Sequence, residues 1–145
     1  MPRPAAVFLL LVVALGATCG CGNRGPETVP VRGRVTFGGG PWPKPGTINF
    51  LPHKPHPDYP SRPGSAEFDT EGNFVVTSWR PGDGLAPGTY RVSIDCWEVP
   101  ETMDKPNAGR NCVPPKYRNS QTSGLEVTVE EGKPISDLRF DVPKP

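Results

Sequence analysis

From residue 29 onward, apolar and polar side chains alternate with period two. Val29, Val31, Val35 and Phe37 share one phase with Gly33, while Pro30, Arg32, Arg34 and Thr36 take the other. Such alternation predicts a strand with one buried face. Ile48 and Phe50 repeat the pattern, as do Ala66 and Phe68, then Phe74 and Val76. Tyr90, Val92, Ile94 and Cys96 alternate with Arg91, Ser93 and Asp95 in the cleanest run. Leu125, Val127 and Val129 form a sixth segment, and Leu138, Phe140 and Val142 a seventh. Turn signals at Glu71-Gly72, Pro87-Gly88 and Glu131-Gly132 separate several of them. No segment carries a sustained helical period. Short strands with one apolar face bury those faces by stacking sheets. The expected fold class is therefore all-β, a seven-stranded antiparallel β-sandwich.

Composition sharpens this picture. The 145 residues include 21 Pro and 17 Gly, enough to exclude a helical bundle. Disorder, which such a composition also raises, would not keep apolar residues in phase across seven runs. The formal net charge is +1, so the chain lacks the basic footprint of a nucleic-acid binder.

The first residues read as an address. Arg3 supplies one positive charge, and residues 5–17 are uncharged and rich in Leu, Val and Phe. That run is shorter than the ~20 residues a spanning helix needs. Small residues follow it, completing the form of an export signal. The exit, Gly20-Cys21, resembles a bacterial lipobox, in which the cysteine after the cut takes a diacylglycerol anchor. Cys21 is the expected lipidation site and Cys19 the alternative; an ordinary cleaved signal without acylation is the other reading. Acyl chains hold a protein to a bilayer at ~0.8 kcal/mol per buried methylene. The expected organisation is a lipoprotein signal peptide over residues 1–20, a tether over 21–28 and a β-sandwich domain over 29–145. The expected location is the cell envelope, membrane-anchored on the periplasmic face. Gly22, where Asp marks inner-membrane retention in some bacteria, favours the outer membrane.

Two stretches break the alternation, residues 52–63 and 97–123. Both are longer than most connections in a compact domain and are candidate binding loops. Cys112 lies in the second, and Cys96 ends the strand before it. An exported protein meets oxidising conditions, so a Cys96–Cys112 disulfide is expected. It would close about 16 residues and contribute ~3 kcal/mol. Two separately buried thiols, or a metal held by the pair with further ligands, are the alternatives.

The run from Gly82 to Val92, GDGLAPGTYRV, resembles the G-L-x-P-G-x-Y-x-V turn and strand of carboxypeptidase regulatory-like domains, which belong to the transthyretin-like (prealbumin-like) β-sandwiches. Val31-x-Gly33-x-Val35 followed by Pro45-Gly46 and Ile48-x-Phe50 is similar to that family's opening pair, and Asp69-x-x-Gly72-x-Phe74 to its middle hairpin. Val113-Pro114-Pro115-Lys116-Tyr117, then Thr122-Ser123-Gly124-Leu125-x-Val127-x-Val129, resembles the ending found in small bacterial lipoproteins that carry this domain. The resemblance spans residues 29–142. It implies an accessory or adhesive module rather than a catalyst. It also implies that Tyr90 turns its ring inward while its hydroxyl reaches backbone at the corner, like a tyrosine corner. Relatives with chemistry are not matched. The Lys–Asn isopeptide of collagen-adhesin repeats would face Arg32, Arg34 and Asp141 here. The Y-R-G-S ending of hydroxyisourate hydrolases meets an internal Tyr117-Arg118-Asn119-Ser120.

Other chemistry is sparse. His53 and His56, with Asp58 and Tyr59 nearby, are weak candidates for a transition-metal site or for acid–base work. Asp69, Glu71 and Asn73 superficially resemble a calcium loop but lack its Gly position and distal Glu, and read as a hairpin turn. Trp42, Trp79 and Trp97 serve either as packing or as a sugar or protein contact. There is no Gly-x-Ser-x-Gly elbow and no phosphate loop. The expectation is a module that is not an enzyme, without cofactor, attached to the membrane and binding an envelope protein or polysaccharide. The alternative is a small-ligand binder or hydrolase using His53 and His56.

Overall fold

The computed structural model describes residues 27–145. The expected signal peptide, both candidate lipidation sites (Cys21 and Cys19) and most of the tether lie outside the described residues. Nine strands follow in chain order: β1 (Val31–Phe37), β2 (Gly46–Pro55), β3 (Gly64–Phe68), β4 (Asn73–Val75), β5 (Gly88–Asp95), β6 (Trp97–Val99), β7 (Arg110–Asn111), β8 (Glu126–Val129) and β9 (Ile135–Val142). Among the described residues the helical content is one 3-10 turn, Pro115–Arg118. The protein is all-β, and each of the seven alternating runs coincides with a strand. β6 and β7 arise inside the long irregular crossing and pair with each other as a separate two-stranded ladder.

The antiparallel arrangement expected throughout is corrected by the structure. The seven main strands hydrogen-bond into one mixed sheet, ordered β8-β5-β2-β3-β4-β1-β9, nearly closed like a barrel. β9 runs parallel to β1, with Gly33 opposite Leu138 and Val35 opposite Phe140. Alternation reports which face a residue takes, and is the same for parallel and antiparallel neighbours. β3 and β4 share one register pair, Phe68 with Phe74, and just past β4 the Ser65–Thr77 bridge adds two backbone hydrogen bonds at 2.9 Å, so this seam is short but continuous.

The inward phase fills the interior as the sequence pattern requires. Ile48, Phe50, Val35, Val76, Leu85, Val92, Ile94 and Val142 are fully buried. Each large side chain so buried is worth ~1.5–3 kcal/mol of transfer free energy. Trp42, from the β1–β2 loop, stacks on Phe37 at 4.7 Å and tilts against Phe68 at 4.8 Å. Its indole N–H donates to the Val35 carbonyl at 2.8 Å, so Trp42 belongs to the core. Tyr90 is buried, and its hydroxyl donates to the Ala86 carbonyl at 2.8 Å, closing the corner that the resemblance implies. Gly33 marks a register shift between β1 and β9, where a Cβ would lie 2.0 Å from the Leu138 carbonyl oxygen. Only a residue without a side chain lets the two strands approach there.

The expected Cys96–Cys112 disulfide is also corrected: both cysteines are free thiols. They are nonetheless neighbours at the base of the β6–β7 ladder. The Cys112 N–H and thiol both donate to the Cys96 carbonyl, each at 3.0 Å. The Cys112 Sγ is thus turned onto backbone oxygen rather than bonded to its partner sulfur. Burial, followed by the contact with Cys112, pushes the Cys96 thiol up to about 12, well outside the reactive range.

Candidate functional site

The outward phase of the same strands builds a concave surface, a groove of about 950 Å³ across β2, β3, β4, β1 and β9. Register sets its floor. Arg32 lies opposite Val75 and Arg34 opposite Asn73 across β1–β4, while Thr47 faces Glu67 across β2–β3. On the other side of β1, the parallel pairing puts Arg34 beside Arg139. Three guanidinium groups therefore gather on two adjacent strands, with the carboxylates of Glu67 and Asp137 on the same lining.

The three arginines are not equivalent. Arg34 donates from Nε to the Glu71 carbonyl at 2.7 Å and from Nη2 to the Glu71 carboxylate at 3.2 Å. Arg139 pairs through Nε with Asp137 at 3.0 Å. Among the described residues Arg32 has no ion-pair or hydrogen-bond partner. A planar fork of five donors thus remains available at one end of the row. Ser65, Thr77 and Ser136 add hydroxyl groups that both donate and accept. Apolar lining is limited: Val75 is 48 % exposed, whereas Phe74 and Ala66 are buried. The surface is suited to hydrogen bonding a polar ligand rather than to enclosing an apolar one.

The sequence-derived candidates lie elsewhere. His53 is the extra residue at the β2 bulge between Pro52 and Lys54, half-buried within the strand. His56 stands beyond the end of β2. Its Nδ1 accepts the Asp58 N–H at 3.3 Å and lies 3.7 Å from the Asp58 carboxylate, and its ring meets the edge of Tyr59 at 5.2 Å. The Tyr59 hydroxyl, hydrogen-bonded to the Glu131 carboxylate, is pushed up to about 12. His56 and Glu131 border a cavity of about 380 Å³ against Pro87–Thr89 and Thr128–Val129. Among the described residues no three His, Cys, Asp or Glu side chains are grouped to hold a metal ion.

The remaining tryptophans carry arginine on one ring face. Arg62 lies over Trp79 and Arg118 over Trp97, each at 5.1 Å. Both rings are half-buried, which leaves less aromatic face for a sugar to stack on. The Asp69–Asn73 segment is a hairpin turn. The Asp69 carboxylate accepts the Asn73 N–H at 2.9 Å, and the Glu71 carboxylate is directed to Arg34. Those hydrogen bonds from Asn73 hold the Asp69 carboxyl below its ordinary value.

Compared with family models, curated proteins and solved structures, the chain matches none. The fold and its surface define a small all-β domain with a polar groove on one sheet face. Sequence reasoning missed that groove. Arg32 and Arg34 were visible as outward positions two apart, but their convergence with Arg139 depends on a strand pairing that alternation does not encode.

Proposed function

We propose that the protein is a non-catalytic, lipid-anchored module of the bacterial cell envelope that binds a partner through the groove on its sheet face. The export pattern of residues 1–20 and the small-residue context of Cys21, with Cys19 as the alternative, support secretion followed by acylation at the periplasmic face, with the outer membrane favoured. The groove is the observation that carries the binding role: a polar concavity of about 950 Å³, framed by backbone already hydrogen-bonded into the sheet. Such a rigid platform holds its side chains in fixed register.

The same reading takes the domain as a transthyretin-like sandwich whose two layers, β8-β5-β2-β3 and β4-β1-β9, remain joined at the Phe68–Phe74 seam. The shortness of that seam, one strand pair and the Ser65–Thr77 bridge, supports it. A second reading, small-ligand or metal binding by His53 and His56, is favoured only by the cavity beside His56. Intact-mass spectrometry of detergent-extracted protein tests the anchoring. The expected mass is that of a chain beginning at Cys21 and carrying acyl groups; an unacylated chain overturns it. Zinc or copper titration separates the second reading. A melting temperature unchanged by either metal, in the native chain and in the His53→Ala, His56→Ala double variant alike, is the expected result.

A further inference from the structure

The groove has a chemistry narrower than a general polar surface, and the inference drawn from it rests on the binding role just proposed. We infer that its ligand is a carboxylate-bearing polysaccharide, an extended sugar chain with acidic groups at intervals.

The argument begins with Arg32. Its neighbours in the row, Arg34 and Arg139, are engaged by Glu71 and Asp137. Arg32 has no such partner among the described residues, so the domain presents one uncompensated guanidinium in this groove. The guanidinium fork matches a carboxylate bidentately. The rest of the lining argues against a polymer charged at every unit. Glu67 and Asp137 stand within the same groove and would repel closely spaced phosphates or sulfates. Those two carboxylates are acceptors, and they suit a ligand that also brings hydroxyl donors. Thr47, Ser65, Thr77, Ser136 and the Asn73 amide complete a mixed set of donors and acceptors. Sugar hydroxyls donate and accept in equal measure, so they can use both kinds of group.

A peptide partner fits less well. Most of the groove lies on the face of β2, β3, β4 and β1, interior strands already paired on both sides, so an added strand could pair only along the outer edge of β9 and not across the groove floor. The exposed apolar side chain available to anchor a peptide is Val75 alone among the lining residues.

The test is calorimetric binding of the full-length chain in detergent micelles to hyaluronate oligosaccharide, whose carboxylate falls on every second sugar, with neutral cello-oligosaccharide and polyglutamate as comparison ligands. The hyaluronate oligosaccharide is expected to bind. Neutral sugar should bind at least about tenfold more weakly, as should the Arg32→Ala variant, since a charge-assisted hydrogen-bonded pair is lost. Arg32→Lys should recover part of the affinity through charge without the fork. Arg32 is exposed, and the circular dichroism of each variant, matched to the native chain, shows that the domain remains folded. Equal affinity for the native chain and Arg32→Ala overturns the inference. Preference for polyglutamate overturns the glycan class, and the absence of binding to any of the three overturns it entirely. The anchoring reading fails separately, through the mass of the processed chain, and an unacylated protein that still binds the hyaluronate oligosaccharide leaves the groove chemistry standing.

Discussion

Strand β5 and the crossing that follows it are neighbours in sequence and opposites in construction. β5 is paired on both sides, to β2 and to β8, and buries Tyr90, Val92 and Ile94. The crossing, residues 97–123, contains the short β6–β7 ladder and the Pro115–Arg118 turn, and residues 100–108 are exposed throughout. Val113 anchors it in the core, and polar side chains hold much of the rest. Asn111 accepts the N–H groups of Cys96 at 3.3 Å and Val113 at 2.9 Å, and donates to the Asp95 carboxylate at 3.0 Å. Arg118 lies over Trp97 and 3.6 Å from Asp95. A strand with two neighbours and an inward phase is fixed by burial; a loop that buries little beyond Val113 leans on a few well-satisfied polar groups.

Substitutions can break or sharpen that contrast. Phe50→Ala removes a fully buried ring from the centre of the sheet and should cost ~3–5 kcal/mol in urea unfolding, enough to unfold a marginal domain. Asn111→Ala strips partners from two backbone N–H groups and should cost ~1–3 kcal/mol. Its signature is local: limited proteolysis within residues 98–109 should accelerate more than global unfolding does. If both accelerate equally, the crossing is part of the core rather than an appendage.

Tyr90→Phe leaves the ring in place but takes the hydrogen bond from the Ala86 carbonyl, at ~1 kcal/mol. The same residue gives a pH prediction. Burial raises its folded-state value from 10.0 to about 12, so its neutral form is favoured by folding. The associated stability is complete below pH 10 and is lost as pH rises towards 12. Stability measured across that range should fall, and should fall less in Tyr90→Phe. The smallest effect is expected at the fully exposed Met103 in the crossing: Met103→Ser should change stability by no more than about 0.5 kcal/mol.

The fold was legible wherever apolar residues alternate over several positions. Tyr90, Val92, Ile94 and Cys96 announced β5, and Val31, Val35 and Phe37 announced β1, because period two is a direct consequence of strand geometry. Strand order was not legible. Nothing in Leu138, Phe140 and Val142 reveals that their strand lies parallel to β1, since that pairing is fixed by packing between segments far apart in sequence. β6 and β7 escaped for a different reason: three and two residues are too few to establish a period. The groove followed the strand order into obscurity, because it needs Arg32 and Arg34 on one strand and Arg139 on another. The expectation of an oxidising compartment pairs the two cysteines but does not orient Cys112 Sγ, which points to a carbonyl.

The parallel union of β1 and β9 also orders events in time. Thr36 meets Asp141 across 105 positions of sequence, at 2.5 Å, so this seam cannot close until residues 135–142 have been made. Contacts of such long separation slow folding, because the intervening chain must be gathered first. During synthesis the nascent domain therefore stays open until this late segment has emerged, and the zipper between its early and late strands then locks it shut.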